Sequence, residues 1–103
     1  MFIELKKENE FEGLIKEGVT LVDINATWCG PCRMLKPVIE ELALEMTNVK
    51  FLGVDVDEFS QIAAKFGVRA VPTLLLFKDG TLITTTSGYR PKESLKEFIN
   101  SHI

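Results

Sequence analysis

Residues 19–46 read VTLVDINATWCGPCRMLKPVIEELALEM, and a change of period inside this stretch decides the architecture. Val19 to Ala26 is rich in β-branched and apolar residues, as a strand buried on both faces would be, with Asp23 as its one charged residue. Beyond Pro31 the period changes. Met34, Leu35, Val38, Ile39, Leu42, Ala43 and Met46 recur at helical spacing, so an amphipathic helix is expected from about Pro31 to Met46. Cys29 falls just before the helix and Cys32 in its first turn, with Gly30 expected as the helix cap and Pro31 at the first helical position, where its missing N–H costs nothing.

Toward the N-terminus, Phe2 to Leu5 reads as a short strand. Asn9 to Lys16 reads as a short helix that buries Phe11, Leu14 and Ile15, with Asn9 as N-cap and Gly18 ending the unit. Toward the C-terminus, Val49 to Val56 is a third strand, and Ser60 to Phe66 a short helix closed by Gly67, completing a β-α-β unit. Thr73 to Phe77 and Thr81 to Thr86 are β-type runs joined by Lys78-Asp79-Gly80, a sequence suited to a tight antiparallel hairpin. A last helix, Pro91 to Ser101, can lay Leu95, Phe98 and Ile99 on the sheet. The sum is an α/β fold: one domain, residues 1–103, with a central mixed sheet of about five strands flanked by about four helices.

The chain has 103 residues, 46% hydrophobic and 26% charged, enough for one core and short for two. A formal net charge of -3 and the lack of a basic block argue against nucleic acid as a partner. No apolar run approaches the ~20 residues that span a bilayer, and charges run through the first twenty residues where a signal peptide would be apolar. No membrane association is expected, and the cytoplasm is the expected location.

Only two cysteines are present. A disulfide closing so small a loop restricts the unfolded chain little, so stapling is a weak explanation. Tetrahedral zinc needs more donors than this pair and the single His102 supply, so no metal site is expected. Reversible redox chemistry is the stronger reading. At the start of a helix, unpaired N–H groups and the helix dipole favour the Cys29 thiolate over the thiol. A thiol three residues further on can resolve a mixed disulfide intramolecularly, which casts Cys29 as nucleophile, at the exposed end of the turn, and Cys32 as resolving thiol. Trp28 offers an apolar surface to an incoming polypeptide, with ordinary packing as its other reading.

At Trp28-Cys29-Gly30-Pro31-Cys32 the chain resembles the thioredoxin family, and the resemblance runs on through Val22-Asp23, Pro37, Phe66-Gly67-Val68-Arg69, Val71-Pro72-Thr73, Lys78-Asp79-Gly80 and Gly88. It implies the thioredoxin fold and a protein-disulfide reductase with no bound cofactor, whose Cys29–Cys32 disulfide is reduced by thioredoxin reductase and spent on disulfide-containing targets such as ribonucleotide reductase, peroxiredoxin or methionine sulfoxide reductase. A monomer is expected. Gly30-Pro31 points to the reductant branch rather than to oxidants or isomerases. Asp23 falls where the family buries an acid that assists proton transfer at the resolving thiol, and structural pairing of a buried carboxylate is the plainer alternative. Pro72 matches a proline held cis, which would turn the Val71 backbone toward substrate. Gly88 falls on the substrate-facing loop, together with Tyr89, with a plain turn glycine as its other reading. With Trp28, Gly30 and Pro31, these residues make up the expected substrate surface. Pro37 is given a structural role only.

The chain departs from the family pattern at two places beside Asp23. Gly53 stands where many members carry a lysine, so desolvation of Asp23 would be less opposed, or water would enter the gap. Ile24-Asn25 replaces an aromatic pair, which alters packing behind the site. A binding module that holds partners in the same groove without turnover is the reading from another class, and the intact cysteine pair with Asp23 and Pro72 speaks against it.

Overall fold

In the computed structural model, which describes all 103 residues from Met1 to Ile103, the stretch Val19–Asn25 is the middle strand of a five-stranded sheet. In chain order, strand β1 (Phe2–Glu4) leads through a 3-10 turn (Glu8–Glu10) into helix α1 (Phe11–Ile15) and strand β2 (Val19–Asn25). Helix α2 (Gly30–Glu45), strand β3 (Val49–Asp55) and helix α3 (Ser60–Lys65) follow, then strands β4 (Thr73–Lys78) and β5 (Thr81–Ser87) and helix α4 (Lys92–Asn100). The strands lie in the order β1-β3-β2-β4-β5. The first three are parallel, and β4 and β5 are antiparallel to their neighbours, so the sheet is mixed.

The side-chain period of two divides the core between two faces. Leu21, Phe51, Leu74 and Leu76 pack with Leu35 and Leu42 of α2 and Leu95 and Ile99 of α4. On the opposite face Val22, Ile24, Leu52, Val54 and Phe77 meet Phe11, Ile15 and Ile62. There the rings of Phe11, Phe66 and Phe77 lie 5.4–6.0 Å apart in tilted and edge-on contacts. Each such side chain, fully buried, is worth roughly 1.5–3 kcal/mol. Asp23 shares the parity of Leu21, so it points to the α2 side, at the end of β2 nearest the cysteines.

Local chemistry corrects two expected boundaries. Cys29, in an extended conformation, caps α2 through its own sulfur, while Gly30 is already helical and Pro31 follows it. Asn9 does not cap the first helix, because the chain enters as a 3-10 turn closed by Glu10 N–H to the Lys7 carbonyl (3.1 Å) before α1 begins. The expected hairpin is present. Asp79 and Gly80 have φ of +50° and +84°, the left-handed pair that a two-residue turn between twisted strands requires. Between Leu76 and Phe77 the β4–β5 register slips by one residue of β5, a bulge that interrupts the outer strand. Pro37, inside α2, removes one helical hydrogen bond.

Candidate active site

The cysteines sit where β2 hands over to α2. The backbone N–H of Cys32 donates to Cys29 Sγ at 3.2 Å, and the Arg33 N–H donates to the Cys29 carbonyl, also at 3.2 Å. Cys29 and Cys32 are joined as a disulfide with Cα atoms 5.2 Å apart. One N–H of the helix start, that of Cys32, is thus paired with the Cys29 sulfur, at the positive end of the helix dipole where a negative sulfur is best accommodated. No set of three or more His, Cys, Asp or Glu side chains is grouped to hold a metal ion.

One expected difference between the cysteines is absent. Cys29, expected at the exposed end of the turn, is 6% exposed and Cys32 5%. Both belong to a small apolar cluster with Ala26, against which Val56 and Val71 pack. What separates them is their surroundings. Cys29 Sγ lies 3.6 Å from the Val71 carbonyl oxygen, an acceptor for its proton in the dithiol form. Cys32 instead lines a cleft on the other side, shared with Asp23.

The Val71–Pro72 peptide bond is cis. The Gly88 N–H donates to the Pro72 carbonyl at 2.9 Å, and Gly88 itself has φ of +90°, so the loop after β5 is tied to the segment that carries Val71. Pro31 is exposed and Gly30 half-buried. Trp28 is 66% exposed rather than packed, and its Nε1–H donates to Asp57 Oδ2 at 2.8 Å. Tyr89 is also exposed.

Asp23 is 5% exposed, and its Oδ1 has no hydrogen-bond partner. Burial pushes its carboxyl up from 3.8 to about 7; the Asn25 side chain pulls the other way and the Glu4 carboxylate adds to the rise. The Asn25 amide Nδ2 also donates to the Asp23 carbonyl at 3.1 Å. Beside Asp23, where the sequence has Gly53, a cleft of about 350 Å³ is lined by Asp23, Cys32 and Gly53 and rimmed by Glu4 and Lys36. A Cβ at Gly53 would come within 3.2 Å of the Phe2 ring and 3.7 Å of Asn25 Nδ2, so those side chains lean over the glycine.

Sequence reasoning missed Asp57, Glu4 and Lys36. Asp57 reaches Trp28 only through the β3–α3 turn, whose Asp55 Oδ1 accepts the N–H groups of Asp57 (2.8 Å) and Glu58 (3.2 Å). Glu4 and Lys36 read as ordinary solvated charges; strand register sets Glu4, and the packing of α2 sets Lys36, at the cleft of the buried acid.

Comparison with known proteins agrees with this geometry. The family model for thioredoxin matches residues 2–101. The chain is 45% identical over 104 residues to a thioredoxin of Bacillus subtilis, covering all of both chains. It is 49% identical over 94 residues to a thioredoxin of Listeria monocytogenes, covering 90% of this chain and 91% of the relative. Among solved structures, a thioredoxin of Nicotiana alata superposes with a TM-score of 0.90 at 38% identity, over 98% of this chain and 91% of that one. A mutant thioredoxin from Halobacterium salinarum gives 0.89 at 39% identity, over 98% and 89%.

Proposed function

The chain belongs to the thioredoxin family and is a thiol-disulfide oxidoreductase that cycles between dithiol and disulfide, and we propose that within this cycle Cys29 attacks, Cys32 resolves and Asp23 carries the proton. The redox couple is the protein's own cysteine pair. The observation that carries the division of roles is the asymmetry around it: the Cys29 sulfur caps the helix start and accepts the Cys32 N–H, while Cys32 shares its cleft with a buried carboxyl.

In this reading the Cys29 thiolate attacks one sulfur of a target disulfide, and the other leaves as a thiolate that takes a proton from water. The product is a mixed disulfide. Cys32 then gives its thiol proton to the Asp23 carboxylate, directly or through water in the cleft, and the resulting thiolate attacks Cys29 Sγ. The Cys29–Cys32 bond forms, the mixed disulfide breaks, and the second target sulfur leaves. Two electrons have passed to the target. A carboxyl titrating near 7 suits an acceptor that must also return the proton when the disulfide is reopened.

Trp28, Gly30, Pro31, Val71, Pro72 and Gly88 form the proposed substrate surface. An extended target segment would pair with the Val71 backbone as an added strand does. The family's partners are thioredoxin reductase and disulfide-containing proteins. For this chain the same reductase and targets such as ribonucleotide reductase, peroxiredoxin or methionine sulfoxide reductase are the proposed partners, met as a monomer. The proposed compartment is the cytoplasm, whose poise keeps thiols reduced.

Reduction of insulin by a dithiol regenerant tests these roles in wild type, Cys29→Ser and Cys32→Ser. Turnover in wild type alone, with a trapped mixed disulfide only in Cys32→Ser, is the expected result. A mixed disulfide trapped by Cys29→Ser instead would reverse the two roles, and no acceleration over the regenerant would leave a binding module in their place.

A further inference from the structure

Three residues of adjacent strands stand in one row across the sheet: Glu4 of β1 is in register with Gly53 of β3, and Gly53 with Asp23 of β2. Register partners in a sheet project to the same face, so both carboxyl side chains point to the α2 side from strands next but one to each other, about 10 Å apart along the backbone. Gly53 puts no side chain between them. The Phe2 ring and the Asn25 amide reach over it, and all three residues of the row line the cleft that Cys32 also lines. Lys36, one turn beyond Cys32 on α2, also lines the cleft and pairs with Glu4 Oε1 at 3.7 Å.

We propose that Glu4 is a positioning residue for the proton that leaves Cys32, acting on the Asp23 carboxyl across the bare backbone of Gly53, with Lys36 setting how much of its charge is felt. This rests on Asp23 as the proton acceptor. A negative charge facing the buried carboxyl through a cleft makes the neutral acid easier to keep, so Asp23 is a stronger base for Cys32 and stays loaded in the disulfide form. The Lys36 ammonium opposes that effect by offsetting the Glu4 charge.

Other charged residues also border the cleft. From α2 comes Arg33, whose guanidinium is turned to the Thr27 carbonyl at 3.0 Å; from the end of β3 comes Asp55, which accepts the N–H groups of Asp57 and Glu58; and Glu58 itself follows. None of these shares the row with Asp23. Glu4 and Lys36 are about half exposed, with side-chain exposures of 53% and 58%, so the coupling is modest and sensitive to salt.

The test is a titration of the Asp23 carboxyl carbon by NMR in the disulfide form, at low salt, for wild type, Glu4→Gln, Glu4→Asp and Lys36→Gln. The pH profile of insulin reduction is measured alongside, with Asp23→Asn as control. Glu4→Gln is expected to lower the Asp23 midpoint by roughly a few tenths of a pH unit, the size expected between partly solvated charges. Lys36→Gln is expected to raise it, Glu4→Asp to keep most of the wild-type value, and salt near 0.5 M to shrink both shifts, since the screening length there is only ~4 Å. The acid limb of the rate profile should move with the midpoint. A midpoint unmoved by Glu4→Gln, or moved in the same direction by Lys36→Gln, overturns the role of Glu4 while leaving Asp23 as acceptor. A rate profile indifferent to Asp23→Asn removes Asp23 as acceptor, and the proposal with it.

Discussion

The indole N–H of Trp28 donates to the carboxylate of Asp57 at 2.8 Å, so the residue that precedes the cysteine pair is tied to the turn after β3. With two-thirds of its surface exposed, Trp28 has little packing to hold it, and the hydrogen bond fixes the plane of the ring. Asp57→Ala should therefore release the ring without unfolding the site. An exposed bond of this kind is worth up to ~1 kcal/mol, so kcat/KM for a protein disulfide should fall by at most about fivefold. Reduction of a small disulfide, which needs no apolar platform, should change less. Trp28 is the only tryptophan, so its fluorescence anisotropy reports the release directly. Unchanged anisotropy would show that the ring is held by something other than Asp57.

Burial of Asp23 ties stability to pH in a sense opposite to most carboxylates. Its folded value, about 7, lies above the ordinary 3.8, so between those values the folded protein holds a proton that the unfolded chain has released. Stability from this group is complete below about pH 4 and is lost as pH rises through about 7, in total on the order of 4 kcal/mol. Asp23→Asn should abolish that dependence. Urea unfolding should find the variant close to wild type near pH 4 and more stable by roughly 2–4 kcal/mol at pH 8, the lower end allowing for a buried amide that is incompletely paired. Parallel pH curves for the two proteins would mean that Asp23 is ionised throughout.

The site and its frame were unequally legible in the sequence. The β2–α2 hand-over could be read because a period of two gives way to helical spacing within a few residues, and the cysteine pair falls at the joint. The hairpin could be read because Asp79-Gly80 answers a backbone requirement that few residue pairs meet. The helix cap was misplaced by one residue because its acceptor is a sulfur, outside the usual set of capping oxygens, and it is the fold that brings the Cys32 N–H to Cys29. Of the row Glu4-Gly53-Asp23, the resemblance to the family placed Gly53 beside Asp23, but the place of Glu4 in it could not be read. Its register is set by two parallel pairings whose crossovers are helices and loops, and no local pattern encodes where such strands stop sliding.

Asp79 joins two functions in the turn between β4 and β5. It tolerates the left-handed conformation, and its Oδ1 accepts the Gly18 N–H at 2.7 Å while its own N–H donates to the Gly18 carbonyl at 2.9 Å. Asp79→Ala keeps the Cβ in the left-handed conformation but loses the side-chain acceptor that offsets its cost, and should lower stability by about 1–2 kcal/mol. Asp79→Asn keeps both the acceptor and the tolerance, and should stay within about 0.5 kcal/mol of wild type. The midpoint of urea unfolding should shift with no change in slope, and insulin reduction should be unaffected. Equal losses in the two variants would assign the effect to charge alone.

Gly53→Lys reverses the electrostatics of the cleft and so tests its geometry from the inside. The Cβ of the new side chain would sit 3.2 Å from the edge of the Phe2 ring, which must give way by a few tenths of an ångström, and a ring at the end of a flexible side chain can do so. The ammonium then enters a cleft lined by Asp23 and Glu4. An opposite charge close to a buried carboxyl favours its ionised form, so the Asp23 midpoint should fall below about 7. Linkage sets the sign of the effect on stability. A folded value nearer 3.8 narrows the window over which the folded state retains the extra proton, so the loss between pH 4 and pH 8 should be smaller than in wild type by ~1.4 kcal/mol for each unit of the fall. The variant should start lower at pH 4, where wild type carries a neutral acid and the lysine adds only crowding and its own desolvation, and should close that gap as pH rises. A difference from wild type that is constant across this range would mean that the ammonium points away from Asp23, and that the cleft does not bring charges at position 53 to bear on the acid.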